Sequence, residues 1–296
     1  MREISVDKAI KELFGQEVYV RQKRPISGGD INEAYCLSLS DGNDIFMKSN
    51  RRENRDFFRA EAEGLRAIKS TGAIATPEMF AEGEEGSISY LLLSFARTGS
   101  RSPHMSENFG HNLAAMHKAD TAGFVKGGAY GFSNDNYIGA GYQKNTPKDS
   151  FVEFFAVCRL EAQIKRAESW FDREEISRML MFTGHLDRYL IEPEKPALLH
   201  GDLWGGNYIV GPDGEAWLID PAAYVGHPEA DIAMTELFGG FSREFYRAYL
   251  EANPMEPGYE DRRDIYNLYH LLNHLNLFGG SYLSAVKGIL RRYGGI

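Results

Sequence analysis

The fold is decided by one stretch of the chain, Leu199-His200-Gly201-Asp202-Leu203-Trp204-Gly205-Gly206-Asn207. Four residues separate Asp202 from Asn207, and a second aspartate, Asp220, ends the run Trp217-Leu218-Ile219-Asp220. The residues between them predict a hairpin, with strands at 208–210 and 215–219 joined by the turn Gly211-Pro212-Asp213-Gly214. Because a hairpin brings its two ends together, we expect Asn207 and Asp220 to emerge at the same open end.

The three polar residues at this end match the groups that phosphoryl transfer to a hydroxyl requires. Asp202 is placed to accept the proton of an acceptor hydroxyl or to orient it. Asn207 and Asp220 offer one amide oxygen and one carboxylate, and Mg²⁺ completes such a site with water or phosphate oxygens. The alternative is a coincidence of a helix-capping aspartate, a structural asparagine and a loop aspartate. The spacing favours a phosphotransferase that uses magnesium-bound ATP.

The composition is that of an ordinary globular protein. The chain has 296 residues, of which 43% are hydrophobic and 25% charged, and this suits one large domain or two lobes. A net charge of −9 argues against a nucleic-acid partner. We expect no membrane association, since no apolar run approaches a membrane span and the N-terminus lacks a signal-peptide core. With only Cys36 and Cys158, we expect a cytoplasmic protein with inert buried thiols, a redox switch being the alternative.

Sequence patterns divide the chain into a strand-rich first part and a mostly helical second part, an α+β organisation. The first part is predicted to hold helices at 3–14 and 54–70, strands at 18–20, 34–39, 45–48 and 90–95, and a strand pair around residues 83–86. The predicted helices of the second part are 106–119, 149–168, 173–190, 229–238, 242–252 and 260–292. We therefore expect an N-terminal lobe at 1–96, a hinge near 94–99 and a C-terminal lobe at 97–296.

Two features of the first lobe predict where the phosphates of a nucleotide bind. Gly28 and Gly29 lie between predicted strands, where glycine lets backbone N–H groups approach phosphate oxygens; a plain turn is the alternative. Lys48 closes a strand and would reach the α and β phosphates, a solvated lysine being the alternative. Glu61 is the one carboxylate on the apolar face formed by positions 58, 61, 65 and 68 of its helix. Since a carboxylate on a buried face needs a cation, we pair Glu61 with Lys48.

The adenine ring is predicted to bind at the hinge. An apolar strand ends there in Leu93, Ser94, Phe95 and Ala96. Adenine typically occupies an apolar slot and pairs with backbone groups, so the side chains themselves say little. A core strand is the alternative, and it is compatible with the same role.

In this order, the features resemble the protein-kinase-like fold, in the branch of aminoglycoside phosphotransferases and choline kinases. Gly201 stands where protein kinases carry the arginine that pairs with a phosphorylated activation loop, and Pro221 follows Asp220 in place of Phe-Gly. Both differences point to a small-molecule kinase. Across nearly its whole length the chain is similar to the fructosamine/ketosamine-3-kinase family. The likeness rests on residues 27–35, 58–65, 130–132, 135–139, 143, 145, 154–155, 159–160, 200–207 and 220–222.

The resemblance implies a two-lobed fold and ATP-dependent phosphorylation of O3 of a ketosamine, a sugar–amine adduct that is free or attached to a protein. The family is associated with protein deglycation because the phosphorylated product breaks down. By matching positions, Asp202 is the catalytic base, Asn207 and Asp220 are the magnesium ligands, and Lys48, paired with Glu61, binds phosphate. Still open are a kinase of another hydroxylated amine (aminoglycoside or choline type), a catalytically silent kinase-like binding protein, and the choice between monomer and homodimer.

The acceptor side is less defined by the sequence. A cationic amine suits aromatic or acidic groups, and Trp204 is predicted either to contact the acceptor or to pack beneath the loop. Asp231 and His200 are predicted to brace the loop. The segment 130–145, rich in Gly, Asn and Tyr, is either a wall of the acceptor cleft or a surface loop. Ser94 departs from the family pattern, in which the hinge often carries an acidic residue, and backbone pairing with adenine is compatible with that change.

Overall fold

The computed structural model describes residues 2–26, 32–97, 99–294 and 296, and its N-terminal part is built on a six-stranded sheet. The strands are β1 (Arg2–Glu3), β2 (Val20–Ile26), β3 (Glu33–Leu39), β4 (Asp44–Arg51), β5 (Met79–Glu85) and β6 (Ile88–Ser94). Their order in the sheet is β1-β5-β6-β4-β3-β2, and all neighbours are antiparallel except β1, which runs parallel to β5. Helix α1 (Val6–Phe14) and helix α2 (Arg55–Ser70) accompany this sheet.

The C-terminal part is mostly helical. Its longer helices are α3 (Met105–Lys118), α6 (Arg173–Thr183), α7 (Glu229–Phe238), α8 (Arg243–Ala252), α9 (Tyr259–Phe278) and α10 (Leu283–Arg292). Between α3 and α6, the short helices α4 (Phe151–Phe154) and α5 (Ala162–Arg166) flank a π-helical segment, Phe155–Glu161. Three two-stranded ribbons complete this part: β7 (Asn136–Ile138) with β8 (Gly141–Gln143), β9 (Ala197–Leu199) with β12 (Tyr224–Gly226), and β10 (Tyr208–Val210) with β11 (Ala216–Leu218). The expected α+β fold, with a strand-rich first part and a helical second part, is confirmed.

Several predicted element boundaries were wrong. The helix predicted at 3–14 begins at Val6, because Arg2–Glu3 extends beside β5 and the Ser5 Oγ accepts the Lys8 N–H as an N-cap at 3.2 Å. The helix predicted at 173–190 ends at Thr183, before Gly184. The helix predicted at 260–292 is two helices, because Gly279 takes a φ of +89° that a helix interior does not allow.

The hairpin predicted between Asn207 and Asp220 is confirmed. Strands β10 and β11 pair antiparallel with Tyr208 opposite Leu218 and Val210 opposite Ala216. The Ile219 N–H donates to the Asn207 carbonyl at 3.1 Å, which continues the ladder beyond the last paired residues. Asn207 and Asp220 therefore leave the hairpin at the same end.

The two parts of the fold meet where α2 packs against the segment that follows Asp220. A Cβ built on Gly64 would lie 2.9 Å from the Pro221 Cγ and 3.4 Å from the Ala223 Cβ. A small residue at this point of α2 therefore allows the helix to approach the segment after Asp220 closely. No helix in the described part of the chain is long and apolar enough to cross a membrane.

Candidate active site

One buried carboxylate on α7 holds the start of the loop between β9 and β10. Asp231, which is 1% exposed, accepts the His200 N–H through Oδ2 at 2.7 Å and the Gly201 N–H through Oδ1 at 2.9 Å. The Nε2 of His200 lies 2.9 Å from the Ile219 carbonyl, so the same histidine ties the loop to the end of β11. Asp231 and His200 thus act as the braces that the sequence predicted.

Gly201 is required by the path of the backbone. Its φ is +80°, and a Cβ at this position would lie 2.1 Å from the Ala222 carbonyl oxygen. The loop approaches this closely because the Ala222 N–H donates to the His200 carbonyl at 2.9 Å. An arginine at residue 201 would clash with this backbone, so the path of the loop itself requires glycine here.

Asp202 and Asn207 contact each other directly, which the sequence did not predict. The Asn207 Nδ2 donates to the Asp202 carbonyl at 2.8 Å and to its carboxylate at 3.1 Å. Burial, together with the nearby charges of Asp220 and Asp231, raises the pKa of Asp202 to about 7, although the Asn207 hydrogen bond opposes this shift. A carboxylate with such a pKa is suited to exchange a proton near neutral pH.

Asp220 projects toward the strand-rich part of the fold. It has a φ of +53° and is the one residue other than glycine with a positive φ among those described. Such a conformation is strained for an L-residue and often occurs at functional sites. The Asp220 carboxylate contacts the Lys48 Nζ. Burial opposes ionisation of Asp220, but the Lys48 charge outweighs it and keeps the pKa of this aspartate below its usual value.

The predicted pair between Lys48 on β4 and Glu61 on α2 is confirmed, with 2.8 Å between Nζ and Oε1. Both side chains are nearly buried, at 11% and 12% exposure. Burial raises the pKa of Glu61, whereas the two carboxylates around Lys48 raise the pKa of the lysine in spite of its burial. Lys48 therefore remains a fixed positive charge between the two parts of the fold.

The donor set at the open end of the hairpin fits a magnesium ion. The Asn207 Nδ2 is turned to Asp202, which leaves its side-chain carbonyl oxygen as a ligand, and Asp220 adds a carboxylate. Within residues 2–26, 32–97, 99–294 and 296, no group of three or more His, Cys, Asp and Glu side chains could hold a metal. Two oxygen ligands from the protein are typical of a Mg²⁺ that is otherwise bound by phosphate and water.

The residues predicted to hold the adenine ring lie at and just after the end of β6, next to α2. Leu93, 3% exposed, packs in one apolar cluster with Phe58 and Leu65 of α2. The Ser94 N–H donates to the Glu78 carbonyl at 2.8 Å, and its Oγ accepts the Glu78 N–H at 2.9 Å. These two polar groups of Ser94 thus bond to Glu78, the residue before β5. Phe95 and Ala96 are half-buried and follow directly. Gly28 and Gly29 lie outside the described residues.

The structure shows where Trp204 and the segment 130–145 lie. Trp204 is 42% exposed, and its ring covers Gly206, where a Cβ would lie 2.3 Å from the Cη2. Trp204 therefore lies on top of the loop and does not pack beneath it. The segment 130–145 has a buried polar centre. Asn136, Gln143 and Asn145 are each at most 3% exposed, and the side-chain amides of Gln143 and Asn145 both donate to the Asn136 Oδ1.

Sequence reasoning missed the role of Arg159 in the π-helical segment. This fully buried side chain stacks over the Tyr224 ring at 3.9 Å, and it donates to the Asn145 Oδ1 at 2.8 Å and the Lys144 carbonyl at 2.6 Å. The feature of the sequence that could have revealed this role is an arginine inside the apolar run that begins at Phe154. Arg159 supports the hydrogen-bonded segment that ends at Asn145.

Together these elements define a class. A strand-rich lobe that carries a lysine–glutamate pair and a helical lobe that carries Asp202, Asn207 and Asp220 make a phosphotransferase of the kinase-like fold. The family model described as fructosamine kinase matches residues 3–294. The chain belongs to the fructosamine kinase family.

Individual relatives agree with this assignment. A probable ketoamine kinase from Synechocystis sp. is 40% identical over 97% of this chain and 95% of its own length. A chloroplastic protein-ribulosamine 3-kinase from Oryza sativa subsp. indica is 39% identical over 90% of this chain and 77% of its own. A crystal structure provisionally named fructosamine-3-kinase, from Haemophilus somnus 129PT, superposes with a TM-score of 0.85 at 29% identity and covers 98% of this chain and 96% of that one.

Proposed function

We propose that this protein is an ATP-dependent kinase that phosphorylates the O3 hydroxyl of a ketosamine, with fructosamines and ribulosamines as the substrate class. The observation that carries the chemistry is the Asp202–Asn207 contact, at 3.1 Å, at the same hairpin end as Asp220 and its partner Lys48. The substrate class rests on membership of the fructosamine kinase family and on relatives named for ketoamines and ribulosamines.

In the proposed reaction, the acceptor O3 attacks the γ-phosphorus of ATP, the bond from that phosphorus to the bridging oxygen of ADP breaks, and the O3 proton passes to Asp202. A pKa of about 7 leaves much of the Asp202 carboxylate ionised at neutral pH and able to take this proton. Asn207 orients that carboxylate through its Nδ2. Catalysis is then mostly positioning and charge stabilisation.

Lys48 and the hairpin end would hold the nucleotide. Glu61 fixes the Lys48 ammonium group, and Lys48 would bind the α and β phosphates. Leu93, Ser94, Phe95 and Ala96 would hold the adenine ring. Asn207 and Asp220 would hold Mg²⁺, which when bound neutralises charge on the transferring phosphoryl group.

The proposed acceptor position lies beside Trp204. This exposed indole stands two residues after Asp202, on the loop that carries the proposed base. A ketosamine carries a cationic amine, and an indole face attracts such a cation. As part of the same proposal, the enzyme contributes to protein deglycation in a cytoplasmic, reducing compartment, where the free buried thiols of Cys36 and Cys158 would persist.

An acceptor screen tests this function. ATP consumption is measured with fructoselysine, ribuloselysine, choline and kanamycin at equal concentration, with free lysine as the control that lacks the sugar. We expect turnover with one or both ketosamines and background rates with the other compounds. Turnover with choline or kanamycin alone would assign the enzyme to another class of amine kinase, and no turnover with any acceptor would favour a binding protein.

A further inference from the structure

We propose that the β7–β8 hairpin and the residue pair before it form a clasp that reaches from the helical lobe to α2 and keeps Glu61 on Lys48, with Tyr137 as the positioning residue. The clasp is defined here as Asn134, Asn136, Tyr137 and Gln143. The proposal rests on the proposed function in one respect, since Lys48 is taken to bind the phosphates of ATP.

The first contact of the clasp is aromatic and lies one helical turn from Glu61. Phe57 and Glu61 are four residues apart on α2 and so share a face of that helix. The ring of Phe57 meets the ring of Tyr137 edge to face, with centroids 4.2 Å apart and an interplanar angle of 70°. A displacement of this end of α2 would break the ring contact and carry Glu61 with it.

The second contact is polar and lies on the other side of Glu61. The Asn134 Nδ2 donates to the Glu63 Oε2 at 2.9 Å. The next residue, Gly64, is the point at which α2 touches Pro221. Residues 57, 63 and 64 are thus all held from the helical lobe, and Glu61 lies between them.

The clasp itself is anchored beside Asp220. The Asn136 Nδ2 donates to the Ala223 carbonyl at 2.7 Å, and the Gln143 Nε2 donates to the Ala222 carbonyl at 2.9 Å. Both amide side chains are buried, at 3% and 1% exposure, and the Gln143 Oε1 accepts the Tyr269 hydroxyl. One rigid unit therefore contacts both α2, which carries Glu61, and the segment that begins at Asp220.

Beside the Lys48–Glu61 pair itself, α2 holds the sheet here through apolar packing. Its apolar face, with Phe58 and Leu65, packs against β6 residues such as Leu91. Apolar contact is non-directional and permits a helix to shift, whereas an edge-to-face ring pair and an amide–carboxylate hydrogen bond fix an orientation. The clasp would therefore keep the Lys48–Glu61 pair assembled without any regulatory signal.

The test compares Tyr137→Ala and Tyr137→Phe with a control, Tyr19→Ala, which removes a 56% exposed tyrosine ring at the edge of the strand-rich lobe. The ATP dissociation constant is measured by calorimetry with Mg²⁺, and kcat/KM for ATP is measured with an acceptor that supports turnover. For Tyr137→Ala we expect both to worsen by about three- to tenfold, the range of one aromatic pair, with an unchanged KM for the acceptor. Tyr137→Phe should keep the ring contact and both values, as should Tyr19→Ala.

Combining Tyr137→Ala with Glu61→Gln separates a positioning role from a general loss of structure. If the clasp acts through Glu61, Tyr137→Ala should add little to the defect of Glu61→Gln, while the two defects would multiply if they were independent. Full ATP affinity in Tyr137→Ala, equal defects in Tyr137→Phe and Tyr137→Ala, or independent effects with Glu61→Gln would each overturn the proposal. ATP binding needs no acceptor, so a wild-type enzyme that binds ATP but fails with every ketosamine would contradict the proposed function and leave the clasp testable.

Discussion

Asp202 gains its chemical character from its surroundings. An exposed aspartate titrates near pH 4, but burial beside Asp220 and Asp231 raises the pKa of Asp202 to about 7. The Asn207 amide then fixes the direction of its carboxylate. The sequence predicted that Asn207 and Asp220 would lie at one end of a hairpin, because a hairpin is a local feature, but not that Asn207 would bond to Asp202. The sequence predicted that Asp231 would brace the loop, but not that it would accept the His200 and Gly201 N–H groups, because these bonds join residues some thirty positions apart.

At the residue scale, Asp202→Asn tests the proposed base. The amide is almost the same size but cannot accept the acceptor proton, so kcat should fall by about a hundredfold or more. The ATP dissociation constant should stay within about twofold of the wild-type value, because Lys48 and the hinge are unaltered. Kinetics and calorimetry on one preparation measure both, and a kcat close to that of the wild type would remove Asp202 from the mechanism.

Gly201→Ala tests the close approach of the loop at residues 200–207 to Ala222, and Gly42→Ala is its matched control. Both glycines have positive φ, at +80° and +90°, but a Cβ meets the Ala222 carbonyl only at residue 201. Both variants should lose stability through backbone strain. Only Gly201→Ala should also lose about a hundredfold in kcat, because the loop is displaced. Equal kcat values for the two variants would contradict this account of the loop.

At the scale of elements, the helices that brace the loop approach one another closely. His117 on α3 contacts both Asp231 of α7, at 3.2 Å, and the hydroxyl of Tyr249 on α8, at 2.8 Å. A Cβ on Gly110 of α3 would lie 2.3 Å from the Phe245 carbonyl oxygen of α8. The periodicity of apolar residues predicted both helices, whereas their close crossing depends on a glycine whose partner is distant in sequence.

Gly110→Ala and Gly288→Ala form a second matched pair. Alanine in a helix is favoured over glycine by about 1 kcal/mol when there is room for the methyl group. At residue 288 of α10 nothing lies within 4 Å of the added Cβ, so Gly288→Ala should raise the free energy of unfolding. At residue 110 the methyl group meets the backbone of α8, and we expect a net loss of about 1–3 kcal/mol. Chemical denaturation measures both, and a gain in stability for Gly110→Ala would contradict the observed helix crossing.

At the scale of the whole molecule, the helical lobe buries several histidines that play no direct part in the proposed reaction. Burial lowers the pKa of His227 and His270 to about 3. In the unfolded chain the pKa of a histidine is about 6.5. Between about pH 3 and about pH 6.5 the unfolded state therefore binds more protons than the folded state. The free energy of unfolding should therefore decrease as the pH is lowered through about 6.5.

Each of these two histidines should remove about 1.4 kcal/mol of stability between pH 7.5 and pH 5.5. His270→Gln deletes one of these groups. Between pH 7.5 and pH 5.5 the variant should therefore lose about 1.4 kcal/mol less stability than the wild type, whatever its stability at pH 7.5. Urea unfolding of both proteins at the two pH values makes the comparison. Equal losses of stability in the variant and the wild type would show that His270 binds a proton equally well in the folded and the unfolded state.

The molecule as a whole could be predicted in outline. The change from strand patterns to helix patterns after Ala96 separated the lobes, although the boundary at 96–97 stays a prediction. The sequence could not show how the lobes are joined, because the contacts of Tyr137 with Phe57 and of Gly64 with Pro221 link distant segments. Nor could it predict β1, since Arg2–Glu3 is too short to show a strand pattern. The roles of Gly28 and Gly29 remain predictions.

The central claim is that this enzyme transfers phosphate from ATP to one particular hydroxyl of a ketosamine. The most direct test incubates the enzyme with ATP, Mg²⁺ and fructoselysine or ribuloselysine, and identifies the phosphorylated oxygen by correlating ³¹P and ¹H NMR signals. We predict phosphate on O3, formed in proportion to ADP, and no product with Asp202→Asn. Phosphate on another hydroxyl, or ATP turnover that occurs only with choline or kanamycin, would contradict the account.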